Sequence, residues 1–300
     1  MDEAKVDTLR SVDIGVGDVA TCLDFFTQVW QLEPVTERDG VHYLRGTSGY
    51  HHIVSLRALG RPCLLRVVFG TQDRHSVDAL HARAVEAGLI VSPPEELDWP
   101  GGGYGFGLRD PEGRNYAVVC DVADHAAQPA QPDRPTKLSH VNLNAGLHEA
   151  SADVLRLLGF RVSDITQKMK FLRCNGDHHS MVLGFSGGPT LNHLAFEMPE
   201  LDSVMRGVGR LRDHGYPVEW GPGRHGPGNN AFAYFAGPEE LPLEYTCEMD
   251  QIDDSYIVRQ PEEWKWPPGR LDHWGLTPGP TARMARIQQL IRFTSDGYKL

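Results

Sequence analysis

The chain has 300 residues, 40% of them hydrophobic and 23% charged, with a formal charge of −11 at pH 7. That length suits two globular domains of ordinary size. The acidic balance excludes partners recognised through their phosphates, whether nucleic acid or an anionic membrane surface, and leaves a small molecule as the expected partner.

In chain order, the first half predicts a strand at "SVDIGV", an amphipathic helix at "ATCLDFFTQVWQL" and short strands at "VHYLR" and "HHIVSLR". A strand "LLRVVFG", a helix "SVDALHARAVEAG" and closing strands "GYGFGLRD" and "RNYAVVCDV" follow. The proline-rich "DHAAQPAQPDRPTK" reads as a linker over 124–137. The same order then recurs as strand "LSHVNLN", helix "HEASADVLRLLGF", strands "KFLRCNG" and "HHSMVLGF", strand "LNHLAFEM", helix "LDSVMRGVGRLRDHG", and strands "NAFAYFA" and "PLEYTCEM". The expected fold class is therefore α+β, four βαβββ modules paired into two barrel-like domains, 1–123 and 138–252, with a tail at 253–300. "GYHH" of residues 49–52 matches "GDHH" of 176–179, and "RDPEGRNYAV" matches "AGPEELPLEY", both at an offset of 127, while the first strands match at 129.

Alternation along strands sorts side chains between the helix-covered and the open face of each sheet. In "LSHVNLN" the apolar face is Val141 and Leu143, which turns His140, Asn142 and Asn144 the other way. In "LNHLAFEM" the same parity frees His193, and in "PLEYTCEM" it frees Glu244. Two imidazoles and a carboxylate converging from neighbouring strands make a facial set suited to a divalent iron with open positions. A buried carboxylate also needs a compensating cation. The matched positions of the first half hold Ser11, Arg66 and Ala117, which cannot rebuild the set. His178 and His179 are adjacent, so only one can face inward, and parity does not decide which; His51 and His52 sit at the matched positions. The glycine-rich "GPGRHGPGNN" of 221–230 reads as a loop presenting His225, Asn229 and Asn230, ahead of a strand bearing Tyr234.

Taken in order, "LSH", "FLRCNGDHHSMVLG", "LNHLAFEM", "GRHGPGNNAFAYF" and "LEY" resemble the type I extradiol catechol dioxygenases of the vicinal oxygen chelate superfamily. The likeness spans roughly residues 8–250, is closest over 138–250, and leans toward two-domain enzymes related to 2,3-dihydroxybiphenyl 1,2-dioxygenase. It implies His140, His193 and Glu244 as ligands of Fe(II), with Mn(II) accepted by the same set. It implies His179 as the acid/base residue, and His179, His225, Asn229 and Tyr234 as contacts of a small aromatic diol that is cleaved with O2 as co-substrate during aromatic degradation. The loop "RHGPGNN" is two residues longer than the family's usual form, which puts Asn229 in question. A metal-less first half also fits the resemblance, and a homo-oligomer is expected.

Other activities share such a scaffold. Glyoxalases and epimerases transfer protons at a metal and commonly use a fourth protein ligand. The 4-hydroxyphenylpyruvate dioxygenases keep the triad and add a C-terminal helix, for which "TARMARIQQLIRF" (281–293) is a candidate. Small members bind ligands without catalysis. In the tail, Trp264, Trp266 and Trp274 read as ordinary packing. The start "MDEAKVDTLR" has no apolar targeting core and no run approaches the about 18 apolar residues of a membrane span, so a cytoplasmic protein is expected. Five scattered cysteines without a CxxC pair predict neither a disulfide framework nor a thiolate metal site.

Overall fold

A computed structural model describes residues 4–300. The first module comprises β1 (Val6–Val16), α1 (Val19–Asp24) continued by a π-helical turn (Phe25–Val29), β2 (Glu33–Arg38), β3 (Val41–Arg45) and β4 (Val54–Ala58). The second comprises β5 (Cys63–Thr71), α2 (Arg74–Glu86), the two-residue strands β6 (Ile90–Val91) and β7 (Glu95–Glu96), β8 (Tyr104–Arg109) and β9 (Asn115–Cys120). Modules three and four repeat the pattern. They are β10 (Leu138–Ala145), α3 (His148–Leu157), β11 (Arg161–Ile165), β12 (Met169–Arg173) and β13 (Met181–Phe185), then β14 (Leu191–Glu197), α4 (Leu201–Asp213), β15 (Val218–Arg224), β16 (Ala231–Ala236) and β17 (Pro242–Cys247). Local chemistry starts the helices of the first half: the carboxylates of Asp18 and Asp73 accept the backbone N–H groups of Thr21 and Ser76, satisfying donors that a helix leaves unpaired. In α4, Gly207 lets the helix lie close on the sheet, since a Cβ there would stand 2.7 Å from the Tyr245 ring. No helix of the described residues is long and apolar enough to cross a membrane, and all five cysteines are buried and free.

The four modules stand as expected, and neither of the two curved sheets closes into a full barrel. One sheet runs β2-β3-β4-β1-β5-β9-β8-β6 with β7 also on β8, the other β11-β12-β13-β10-β14-β17-β16-β15, and in both the two outer strands stay unpaired with each other. Closing a barrel would require hydrogen bonds between those edges. In the second sheet the tail takes their place. Arg259 forms a bridge with Asp164 on β11, while α5 (Ala282–Ile287) packs Met284 and Ile287 on Phe232, Tyr234 and Ala236 of β16.

One continuous apolar core joins the halves. Trp30, just after the π-helical turn of the first module, stacks on Tyr245 of β17 with ring centroids 3.8 Å apart and accepts the Tyr245 hydroxyl at its carbonyl oxygen. Phe196 and Phe235 meet the same indole edge-on, an arrangement that adds about 1 kcal/mol per aromatic pair beyond area burial. The exchange is mutual, because Phe160 after α3 packs edge-on against Phe69 of the first sheet. Each half therefore lends aromatic side chains to the core of the other.

The register confirms which positions of the halves correspond. Ser11 faces Val68 and Asp13 faces Arg66 across β1 and β5, as His140 faces Ala195 and Asn142 faces His193 across β10 and β14. Val68 in turn pairs with Ala117, as Ala195 pairs with Glu244. The hollow of the first half is filled. Arg66 and Asp13 form a buried ion pair with Nε and Oδ2 3.0 Å apart, and the Ser55 hydroxyl donates to the other Asp13 oxygen. Gly107, opposite Ala117 as Tyr234 is opposite Glu244, gives way to the tail, for a Cβ there would lie 1.8 Å from the Tyr298 carbonyl oxygen. Leu300 packs on the cluster of Val68, Ala117 and Val119.

Breaking this ion pair leaves a buried charge uncompensated. Asp13→Ala is expected to cost about 3–5 kcal/mol in urea unfolding, and Asp13→Ala combined with Arg66→Met to regain most of it, because the double variant buries no charge.

Candidate metal centre

The site is built on one rung of the second sheet. His140 on β10, Ala195 on β14 and Glu244 on β17 lie side by side in register. The methyl group of Ala195 leaves the space into which the two outer side chains lean. His193 stands two residues from Ala195, and alternation puts it on the same face. The three side chains meet above the rung, with His140 Nε2 3.1 Å from His193 Nε2, and Glu244 Oε2 3.3 Å from the former and 3.0 Å from the latter. Among the described residues this is the one group of at least three His, Cys, Asp or Glu whose ligand atoms gather within 4.8 Å.

The donor set fits a divalent cation. His193 Nδ1 is bonded to the side-chain oxygen of Asn192 at 2.8 Å, so Nδ1 carries the proton and the Nε2 lone pair faces inward. Both Glu244 oxygens are fully buried and have no hydrogen-bond donor. Burial alone would push this carboxyl up, but the surrounding His140, His193 and His225 outweigh it and hold it well below the usual range. Burial likewise pushes His193 down to about 4 despite the nearby Glu244, leaving its imidazole neutral at pH 7. Three lone-pair donors crowded in a dry pocket repel one another unless a cation sits among them. Donor atoms 3.0 to 3.3 Å apart are close enough for one cation to reach all three at bonds of about 2.1 Å. With three protein ligands, a six-coordinate cation would keep positions open for other groups.

Around that opening stand more polar side chains. His179, two residues before β13, has its ring 4.5 Å from that of His140 and 5.1 Å from that of Phe171, and burial holds it well below the usual histidine value. Its neighbour His178 turns the other way, to Asp164. Tyr234 on β16, register partner of Glu244, packs edge-on to His193 and bonds His225 Nε2 at 3.1 Å. Its phenol is pushed well above 10 by burial and by Glu244, so it stays protonated at neutral pH. His225 itself stacks on Phe232 at 3.9 Å and is the most exposed of the group, with 20% of its side chain open to solvent.

Two expectations for the glycine-rich stretch change. Residues 221–224 belong to β15, so the loop proper starts at His225. Asn229 lies outside the site: it is exposed, adopts a left-handed backbone with φ 52°, and donates its side-chain amide to Asp250. Asn230 is buried, but its amide is bonded to Thr246. The asparagine beside the triad is Asn142, register partner of His193, whose buried side-chain oxygen has no partner. Its parity with His140 was the signal. Trp220, with its indole nitrogen buried and unpaired 4.8 Å (ring to ring) from Tyr234, carried no such signal because β15 is irregular in register. The candidate helix of 281–293 shrinks to the six residues of α5, which closes the Tyr234 side of the site. Trp264 is buried beside Gly226 of the loop, whereas Trp274 is exposed.

Comparison with known proteins places these residues in context. Residues 137–245 match the model of the Glyoxalase/Bleomycin resistance protein/Dioxygenase superfamily. A 151-residue segment is 31% identical to metapyrocatechase 2 of Cupriavidus necator, covering 47% of this chain and 45% of that protein, so the match spans less than half the length of this curated relative. The Mn(II)-bound glyoxalase of Novosphingobium aromaticivorans superposes with a TM-score of 0.86 at 36% identity, over 93% of this chain and 94% of the other. Homoprotocatechuate 2,3-dioxygenase of Arthrobacter globiformis superposes with a TM-score of 0.87 at 21% identity, over 99% and 96%, a likeness of fold.

Titration calorimetry with Mn(II) under argon is expected to show one site in the wild-type protein and none in Glu244→Ala or His193→Ala. At metal 100-fold above its dissociation constant the wild type gains about 2.7 kcal/mol of stability.

Proposed function

Because this chain belongs to the Glyoxalase/Bleomycin resistance protein/Dioxygenase superfamily, we propose that it is an extradiol dioxygenase that opens the ring of a small aromatic diol next to its two hydroxyls. The observation that carries the reading is the combination of a three-donor site, His140, His193 and Glu244, with His179 and the His225–Tyr234 pair gathered around it. The resemblance to metapyrocatechase 2 supports it.

His140, His193 and Glu244 would hold the metal, Fe(II) in this reading. When bound, it supplies open positions for the diol and dioxygen and the electrons that activate them. The chain's own groups do the rest. His179, kept neutral by burial, takes a proton from an incoming hydroxyl and later returns it, a general acid/base role. Tyr234, kept protonated, donates a hydrogen bond to a ring oxygen and orients the substrate together with His225. Phe171, Phe232 and Trp220 give the ring an apolar wall and exclude water. Both atoms of O2 are retained in the product, a 2-hydroxymuconic semialdehyde type of compound, so the reaction balances without further reductant.

A second reading has its own support in the 36% identity to a Mn(II)-bound glyoxalase. Proton transfer between neighbouring carbons at such a metal commonly uses a fourth protein ligand. Among the described residues the cluster has three members and no second carboxylate, which favours the dioxygenase.

Anaerobic reconstitution with Fe(II), followed by a panel of catechols and then air, distinguishes the two. Stoichiometric oxygen uptake and a yellow product are expected, and both vanish in Glu244→Ala. Isomerisation of a hemithioacetal with no oxygen uptake on any catechol would reverse the assignment. His179→Ala is expected to keep its metal and bind the diol while kcat falls about 100-fold or more; metal loss in that variant would show that His179 is a ligand.

A further inference from the structure

Behind His179 lies a buried chain of side chains that the proposed chemistry has not used. His178 Nδ1 and His179 Nδ1 are 3.0 Å apart, and His178 Nε2 is 2.7 Å from Asp164 Oδ2 on the edge strand β11. Asp164 and His178 are both inaccessible to solvent and His179 nearly so. Resting on the reading of His179 as the acid/base residue, we infer that Asp164 is a positioning residue that sets the tautomer of His179 through His178, so that His179 meets the substrate with an unprotonated Nε2.

Counting protons along the chain gives this direction. Asp164 Oδ2 can only accept, so His178 Nε2 holds a proton and donates it. Neutral His178 then has a bare Nδ1, and a second bare nitrogen 3.0 Å away would be a repulsion, so His179 Nδ1 carries a proton and points it at His178. Neutral His179 is left with its lone pair on Nε2, the nitrogen free to face the site. The opposite arrangement needs His178 as an imidazolium. Asp164 does not call for one, because the Tyr256 hydroxyl donates to Oδ2 at 3.0 Å and the Arg259 backbone N–H donates to Oδ1 at 2.8 Å, and burying a further charge is costly.

The first half is again a control. His51 and His52 show the same Nδ1 to Nδ1 separation of 3.0 Å, so the histidine pair belongs to the scaffold. The residue in register with Asp164 is Thr36: Thr36 pairs with Tyr43 on β3 as Asp164 pairs with Phe171 on β12. A carboxylate at this strand position is found behind the three-donor site and not behind its counterpart, where Asp124 instead accepts the backbone N–H of His51. Both of the other donors to Asp164, Tyr256 and Arg259, come from the tail, whose backbone is bridged to β11 by the Ile165 N–H donating to the Arg259 carbonyl. The tail is thereby part of the catalytic apparatus at one remove.

The tautomers can be read directly in the metal-free protein labelled with 15N-histidine, by two-bond 1H–15N correlation, with no turnover required. In the wild type His178 is expected to be protonated on Nε2 alone and His179 on Nδ1 alone. Asp164→Asn, whose amide can donate to His178 Nε2, is expected to invert both. In the iron-loaded enzyme the same variant is expected to keep its metal and its KM for the diol while kcat falls about 10- to 100-fold. Tyr256→Phe, which leaves the carboxylate in place, is expected to keep the wild-type tautomers and lose less rate. A wild-type His179 protonated on Nε2, or a His178 protonated on both nitrogens, overturns the inference. So does Asp164→Asn with unchanged tautomers. If no catechol is turned over, the proposed activity fails and the spectra alone still decide the tautomer; if Asp164→Asn does not fold, the wild-type spectrum does.

Discussion

Glu244 is a carboxylate with no solvent and no hydrogen-bond donor, placed 3.0 to 3.3 Å from two imidazole nitrogens. A protein retains such a group only where something cationic completes it. That requirement organises the second half. The neighbouring rung position must be small, which Ala195 meets; the imidazoles must present bare nitrogens, which Asn192 arranges for His193; and water must be kept away, which falls to Phe232, Tyr234 and the short helix α5. Remove the cation and the same residues become a pocket of mutual repulsion.

Duplication makes the cost visible, because the same hollow occurs twice in one chain and is completed in two ways. In the first half Arg66 supplies the positive charge and Asp13 the negative one, so the pair neutralises itself. The remaining space is taken by Gly107 and the last residues of the tail. In the second half a carboxylate stands beside two imidazoles with no arginine among them, a set that a bound cation would complete. The fold tolerates either solution. What differs is that the first hollow is filled by the chain itself, whereas the second keeps its donor atoms together without a cation of the chain's own.

Much of this was legible in the sequence for a simple reason: strand alternation is strict, and a duplicated chain carries its own reference. Parity picked out His140, His193 and Glu244, and the offsets of 127 and 129 named Ser11, Arg66 and Ala117 as their counterparts, the same positions that the strand register brings together. Parity fails where pairing is irregular or where a turn intervenes. The 221–230 stretch is bulged, so its strand was read as loop, and Asn229, at a left-handed position, turned outward. Asp164 could not be found at all from spacing, because it meets His178 only when β11 and the end of the chain come together across the sheet edge. Whether the barrel-like sheets close was not legible either: alternation says which face a residue takes but nothing about whether the outermost strands join.

The tail reaches both hollows, with α5 over the second and Thr294 to Leu300 in the first, where the Thr294 carbonyl accepts from Asn115 and Arg109. This has a consequence for the order of events on the ribosome. β9 ends at Cys120, so the strands of the first sheet are all synthesised long before the segment that stoppers it. At about 5–20 residues per second the interval before the tail can cover Arg66 and Asp13 is about 10 to 40 seconds. The hollow of the first sheet is thus completed by residues made last, so its final packing around Arg66 and Asp13 is a late step in the making of the chain.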